Sequence, residues 1–179
     1  MQCKDILSSL QNDALRERDI DLGFLRPPVD PVHLVSEPLF EEHYLVFLPK
    51  RHPLAHRRKL RLKELRNEPL LMPDRSTSTG VYDKTLDLYR AAGISPKIIF
   101  TNTAPYEEAG AILVTSGKGI YVGVGAIRSN PSSEIQLSAV PLDESGAKME
   151  VHVAWRREEP SKAVLSFLES VRAVLEPRK

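Results

Sequence analysis

The residues best suited to chemistry sit in the run Asp74-Arg75-Ser76-Thr77-Ser78-Thr79-Gly80, four hydroxyls in succession ahead of a helical pattern. Hydroxyls together with the unsatisfied N–H groups of a helix start can cradle a carboxylate or a phosphate. The same residue types also cap helices with no ligand involved, so the run supports both readings. Thr101-Asn102-Thr103 repeats the arrangement before a second helical pattern, with the same two readings. Gly123-Val124-Gly125 offers a third place where missing side chains would let a ligand approach the backbone. Arg26 follows an apolar strand pattern, where its guanidinium could hold an anion with two hydrogen bonds or simply pair with a carboxylate.

These groups form no catalytic constellation. GxSxG, HExxH, Walker and GxGxxG patterns are missing, and the glycine spacing of SGKGIYVGVG fits no dinucleotide loop. The five histidines lack metal-ligand spacing, and His52 and His56, four apart, lie in a Pro-containing basic segment. Neither a metal nor a cofactor is expected.

Each candidate group follows a strand and precedes either a helix or a turn. Residues 7–17 carry Leu7, Leu10, Ala14 and Leu15 at helical spacing and run into an apolar strand, 20–25, that Pro27, Pro28 and Pro31 terminate. Extended segments follow at 34–40 and 44–48, then a helical turn at 60–65 and a strand at 69–72. The hydroxyl run leads into a helix over 81–92 that Gly93 stops, and a strand at 97–101 precedes a helix over 107–116. Strands at 120–124, 135–142 and 149–155 come next. A final helix over 162–175 presents Val164, Leu165, Leu168, Val171 and Leu175 as one stripe. Strand and helix alternating at this spacing predict βαβ units and a parallel sheet covered on both faces.

Composition narrows the class further. The chain is 41% hydrophobic and 27% charged, with 25 Lys plus Arg against 24 Asp plus Glu, as expected of a globular domain with no overall basic surplus for gripping nucleic acid. The six Lys or Arg between Lys50 and Arg61 read either as a nucleic-acid patch without aromatic interleaving or as a solvated connection between two halves. A single cysteine, Cys3, allows no internal disulfide, and the first ten residues resemble no export signal, which predicts a cytoplasmic setting. Apolar stretches are broken within about ten residues, against roughly 20 needed to cross a bilayer, so no membrane association is expected.

Three segments resemble one family, the LysR-type transcriptional regulators. DALRERDIDLGFLRPP is similar to its ALxxGxIDxGF stretch, EEHYLVFLPKRHPLA to its LVLPxxHPLA strand, and EAGAILVTSGKGIYVGVGAI to its helix-turn-strand. The resemblance covers nearly the whole chain and implies the effector-binding domain of such a regulator. The implied fold is α/β, with two Rossmann-like lobes joined by crossing strands as in type 2 periplasmic binding proteins. It divides the chain into lobe one, residues 1–55 with 149–179, and lobe two, residues 56–148. A complete regulator of this family carries a helix-turn-helix, a linker helix and the first strand and helix of lobe one ahead of this point, so the first lobe is expected to be incomplete.

The resemblance also implies a small-molecule inducer, anionic or an aromatic carboxylate, held in a cleft by Phe24, Arg26, Ser76, Thr77, Ser78, Thr103, Gly123 and Val124. It implies a homodimer or tetramer, and contact with DNA only through a helix-turn-helix outside this chain. At Gly123-Val124-Gly125 the sequence departs from the family's usual proline. The rival readings are a transporter's solute-binding protein, a fragment that acts only through oligomerisation, and an enzyme using the same cleft.

Overall fold

The computed structural model describes residues 2–101, 109–125, 137–158 and 161–175. The chain forms two compact units, Met1–Glu41 with Glu150–Lys179, and Glu42–Met149.

In the first unit the expected opening helix is α1, Ser8–Arg16, followed by β1, Leu22–Leu25, and β2, Leu34–His43, whose last residues enter the second unit. The long final strand β8, Lys148–Arg156, lies between β1 and β2, and α4, Lys162–Leu175, ends the chain. Pairing of β1 with β8 is antiparallel, with Leu22 opposite Trp155 and Leu25 opposite His152. Because strand side chains alternate, β8 sends Ala154 to one face and Val153 and Trp155 to the other. Ala154 packs with Leu15 of α1, Leu25 and Leu34, whereas Val153 and Trp155 pack with Val164 and Leu168 of α4. A helix thus covers each face of this sheet.

Two devices fix α1 on β1. Gln11 donates from Nε2 to the carbonyls of Ile6 and Phe24, both at 2.9 Å, and its Oε1 rests against Gly23, where a Cβ would lie 2.5 Å away. Arg156 donates to the carbonyl of Leu15, in the last turn of α1, at 2.9 Å and to that of Ile20, ahead of β1, at 2.7 Å, tying both to β8.

The second unit centres on β3, Leu45–Pro49, which pairs antiparallel with β6, Tyr121–Gly123, and with β7, Leu137–Pro141. Four of its five residues are buried, as its unbroken apolar run requires. β4, Leu70–Pro73, pairs in parallel with β5, Ile98–Thr101. Helix α2, Thr79–Ala91, connects them, and α3, Ala109–Thr115, precedes β6. The start of β6 is stitched to β4 by Leu71 N–H to Ile120 O and Ile120 N–H to Pro69 O, each 2.8 Å. Gly119 permits that approach, since a Cβ there would fall 2.5 Å from the Pro69 carbonyl. Tyr44, Val46, Leu48, Leu60, Leu62, Leu65, Leu70 and Ile120 form the centre of the core, each 1% exposed or less. Burying an aliphatic side chain of this size contributes roughly 1.5–3 kcal/mol.

Three expectations need correction. The sheets are mixed: β1 pairs antiparallel with β8, and β3 antiparallel with β6 and β7, whereas β4 pairs in parallel with β5 and the bridges Leu60–Leu142 and Leu70–Ile120 are parallel. Periodicity reports which faces a strand buries, not the direction of its neighbour. The α4 stripe is also narrower than predicted, since Leu165 is 46% exposed while Leu168 is 1% exposed. Finally, the basic segment Lys50–Arg61 is not a connection between halves, because it lies inside Glu42–Met149 and its Leu60 is fully buried.

Candidate functional site

The hydroxyl run begins as a 3-10 turn, Arg75–Thr77, after the end of β4, passes through Ser78 and enters α2 at Thr79. Asp74 organises it. One oxygen of its carboxylate accepts the Ser76 N–H at 2.9 Å and the Ser76 hydroxyl at 2.6 Å. The Ser76 hydroxyl, then its amide, hold the Asp74 carboxyl below the usual carboxylate range. Arg75 closes a two-bond fork on Asp83, with Nε to Oδ1 at 2.7 Å and Nη2 to Oδ2 at 2.6 Å, which lowers the Asp83 pKa. The charge of Asp74 is therefore committed within the loop and that of Arg75 to α2.

Ser78 differs from Ser76. It occupies the N-cap position of α2 yet makes no side-chain cap hydrogen bond. The first helical bond of α2 runs from Tyr82 N–H to Ser78 O, so the N–H groups just ahead of Tyr82 have no helical acceptor. Ser78 also lines a small hollow walled by Met72, Val81, Tyr82, Tyr121 and Val122. Tyr82 and Thr85 fall at i+4 and i+7 from Ser78, one stripe of α2, and so share its side of the hollow. At the far wall Tyr121 stacks at a tilt on Phe47, ring centroids 5.7 Å apart. The result is an aromatic and aliphatic recess with one hydroxyl and a helix start at its rim, at the carboxyl end of β4. In α/β sheets this is where ligands bind.

The remaining predicted residues are scattered. Thr77 ends the 3-10 turn, and its N–H is spent on Asp74 O at 3.0 Å. Gly123 ends β6, but the space above it is filled by its own neighbour: a Cβ there would meet the Tyr121 hydroxyl and ring at 2.5–2.8 Å. Val124 packs against the core of the second unit. Thr103 lies outside the described residues, while Thr101 before it turns its hydroxyl to the Met72 carbonyl at 3.3 Å. Phe24 and Arg26 belong to the first unit. Phe24 is 45% exposed and meets Phe167 edge-on, centroids 6.4 Å apart, and the Arg26 N–H donates to Ser8 Oγ at 3.3 Å. Among the described residues, Ser78 is the predicted residue that the fold places in the hollow. Tyr82, Thr85 and Tyr121 were missed, although their spacing from Ser78 and from Gly123 was readable.

Comparison with known proteins decides the family. The model of the LysR substrate binding domain matches residues 6–176.

The chain belongs to the LysR substrate-binding domain family.

Curated relatives are named as regulators of the helix-turn-helix type. TtuA of Agrobacterium vitis is 37% identical over 102 residues, 56% of this chain and 33% of that protein. YnfL of Escherichia coli K12 is 29% identical over 170 residues, 93% of this chain and 55% of that protein. The chain thus spans a third to about half the length of these LysR relatives. Among solved structures, the BenM effector-binding domain with its effector benzoate superposes with a TM-score of 0.76 at 25% identity, covering 96% of this chain and 76% of that one. The Synechocystis CcmR regulatory domain in complex with 2-PG reaches 0.79 at 19% identity, covering 98% of this chain and 83% of that one. The fold is therefore that of LysR effector-binding domains, α/β and like type 2 periplasmic binding proteins. No helix among the described residues is long and apolar enough to cross a membrane.

Proposed function

We propose that this chain senses a small carboxylate for a LysR-type transcriptional regulator. The observation that carries the reading is Ser78: a half-buried hydroxyl without a cap partner, at a helix start, on the rim of an aromatic hollow. Donors at a helix N-terminus favour an anionic head group, and the Met72, Tyr82 and Tyr121 surfaces around the hollow, itself only about water-sized, favour an apolar body laid across its rim. Benzoate, the effector of the similar BenM domain, has this chemistry. Thr77, Thr103 and Val124 of the same unit are proposed as further contacts, each checked by its own substitution.

Sensing becomes control if the effector favours one arrangement of the oligomer over another, because a ligand shifts an equilibrium only by its differential affinity. A dimer or tetramer of the regulator would then present its helix-turn-helix, outside this chain, differently to DNA. Calorimetric titration with benzoate and a panel of aliphatic and aromatic carboxylates tests the reading. At least one should bind, and the Ser78→Ala and Ser76→Ala/Ser78→Ala variants should bind it about tenfold more weakly, the loss of one charge-assisted hydrogen bond. Equal affinity in wild type and both variants would remove the hydroxyl loop from the site.

A further inference from the structure

The basic segment is the feature that the effector reading leaves unused. Between Lys50 and Glu68 stand eight Lys or Arg against two Glu, in a chain whose net charge is only +1, so the rest of the molecule is net acidic. All eight cations are exposed. The backbone beneath them is fastened rather than loose. Ala55, Leu60, Leu62 and Leu65 are buried, and Leu60 N–H to Pro141 O at 2.9 Å with Asp143 N–H to Leu60 O at 2.8 Å pins the middle. Alternation of buried leucine with outward cation thus builds a fixed charged surface.

Acidic neighbours neutralise only part of it. Arg57 pairs with Glu64 at 3.1 Å, and Lys59 and Arg61 share Asp143 at 2.9 and 3.6 Å. Lys50, Arg51, Arg58, Lys63 and Arg66 have no acidic partner among the described residues. Arg51 reaches toward the turn at Gly117, whose missing Cβ would be 3.9 Å from its Nη2, which brings the exposed Lys118 beside the segment. Uncompensated like charges repel one another, so a surface that holds them together suits a partner with regularly spaced negative charge.

The surrounding chemistry narrows the partner. The segment contains no Phe, Tyr or Trp, so it has no platform for stacking unpaired bases. Its leucines at 60, 62 and 65 face inward, so it has no apolar side to insert into a lipid surface. What remains is a row of cations suited to the phosphate backbone of a duplex. We propose that the outer face of residues 50–66, with Lys118, contacts the phosphate backbone of double-stranded DNA without reading its sequence. This surface stands independently of the effector site.

Fluorescence anisotropy of a short random-sequence duplex with the 179-residue chain, from low to physiological salt, tests the proposal. Wild type should bind at low salt and lose affinity steeply as salt rises. Arg58→Gln/Lys63→Gln/Arg66→Gln should reduce the slope of log K against log salt by about 0.9 for each phosphate left without its cation, with the unfolding temperature unchanged. A control, Arg16→Gln/Arg90→Gln/Arg172→Gln, replaces cations paired to Asp13, Asp87 and Glu37 and should leave the slope unchanged. The proposal is overturned by absence of binding at low salt, by a wild-type slope in the first variant, by an equal drop in the control, or by equally tight binding of a poly-glutamate peptide.

Discussion

Ser76 gives both its hydroxyl proton and its amide proton to the same oxygen of Asp74, at 2.6 and 2.9 Å. The hydroxyl that looked most available for an anionic ligand is thereby turned onto a carboxylate. Ser78, two residues on, takes over the rim of the hollow.

This division of labour predicts unequal single substitutions. Ser78→Ala should weaken carboxylate binding about tenfold with little effect on stability, as its side chain caps nothing. Ser76→Ala should cost less than about 1 kcal/mol, because the bond it removes is exposed, and should change affinity by less than about twofold. Calorimetric affinities and urea midpoints for both variants check the order; a larger affinity loss in Ser76→Ala would reverse the assignment.

Acidity should act on the same loop. Asp74 is held below the usual carboxylate range by Ser76, and Asp83 by Arg75. A carboxylate whose folded pKa is depressed stabilises the fold above its unfolded value of about 3.9, and that contribution is lost as pH falls through the lower folded value. Loop geometry should hold from neutrality to mildly acid solution and loosen only below that range. Carboxyl-carbon NMR titration should give Asp74 a midpoint below that of an unfolded reference, moving up toward it in Ser76→Ala.

Two glycines should fail in different ways. At Gly23 an added Cβ meets the end of a side chain, Gln11 Oε1, so Gly23→Ala should destabilise, and Gln11→Ala should relieve part of that loss in the double variant. At Gly119 the Cβ meets the Pro69 carbonyl, a backbone atom bonded to Ile120 N–H, and no side-chain truncation can make room. Denaturant unfolding of the four variants should show a favourable coupling for the first pair and the larger loss for Gly119→Ala.

The terminal helix offers a contrast within one stripe. Leu168 is buried against Val153 and Trp155, and Leu168→Ala should cost about 2–5 kcal/mol. Leu165, 46% exposed, should cost under about 0.5 kcal/mol when replaced by Ala. Equal losses in thermal unfolding would mean that Leu165 is covered by something outside this chain.

Gly123→Ala reports on the hollow. The added methyl must displace the Tyr121 ring, which forms one wall, so carboxylate affinity should change although Gly123 is not itself among the lining residues. Tyrosine fluorescence and calorimetry on the variant measure the two effects separately.

Element order was legible in the sequence because it follows from local rules: apolar spacing marked α1, α2 and α4, and Gly93, adopting a φ of +71°, ended α2 where expected. The family was legible too, through three short patterns in the right order. Strand direction was not, since β3 and β6 look alike from their side chains whichever way their neighbours run. The candidate site was half visible. A row of hydroxyls before a helix could be read from residue types, but which one keeps its hydroxyl for a ligand depends on where Asp74 points. Likewise the glycine at 123 reads as open space, until Tyr121 two residues earlier on the same face of the strand fills it. Composition and periodicity are properties of single segments, whereas donors, acceptors and free volume are shared between segments, and only the folded chain allots them.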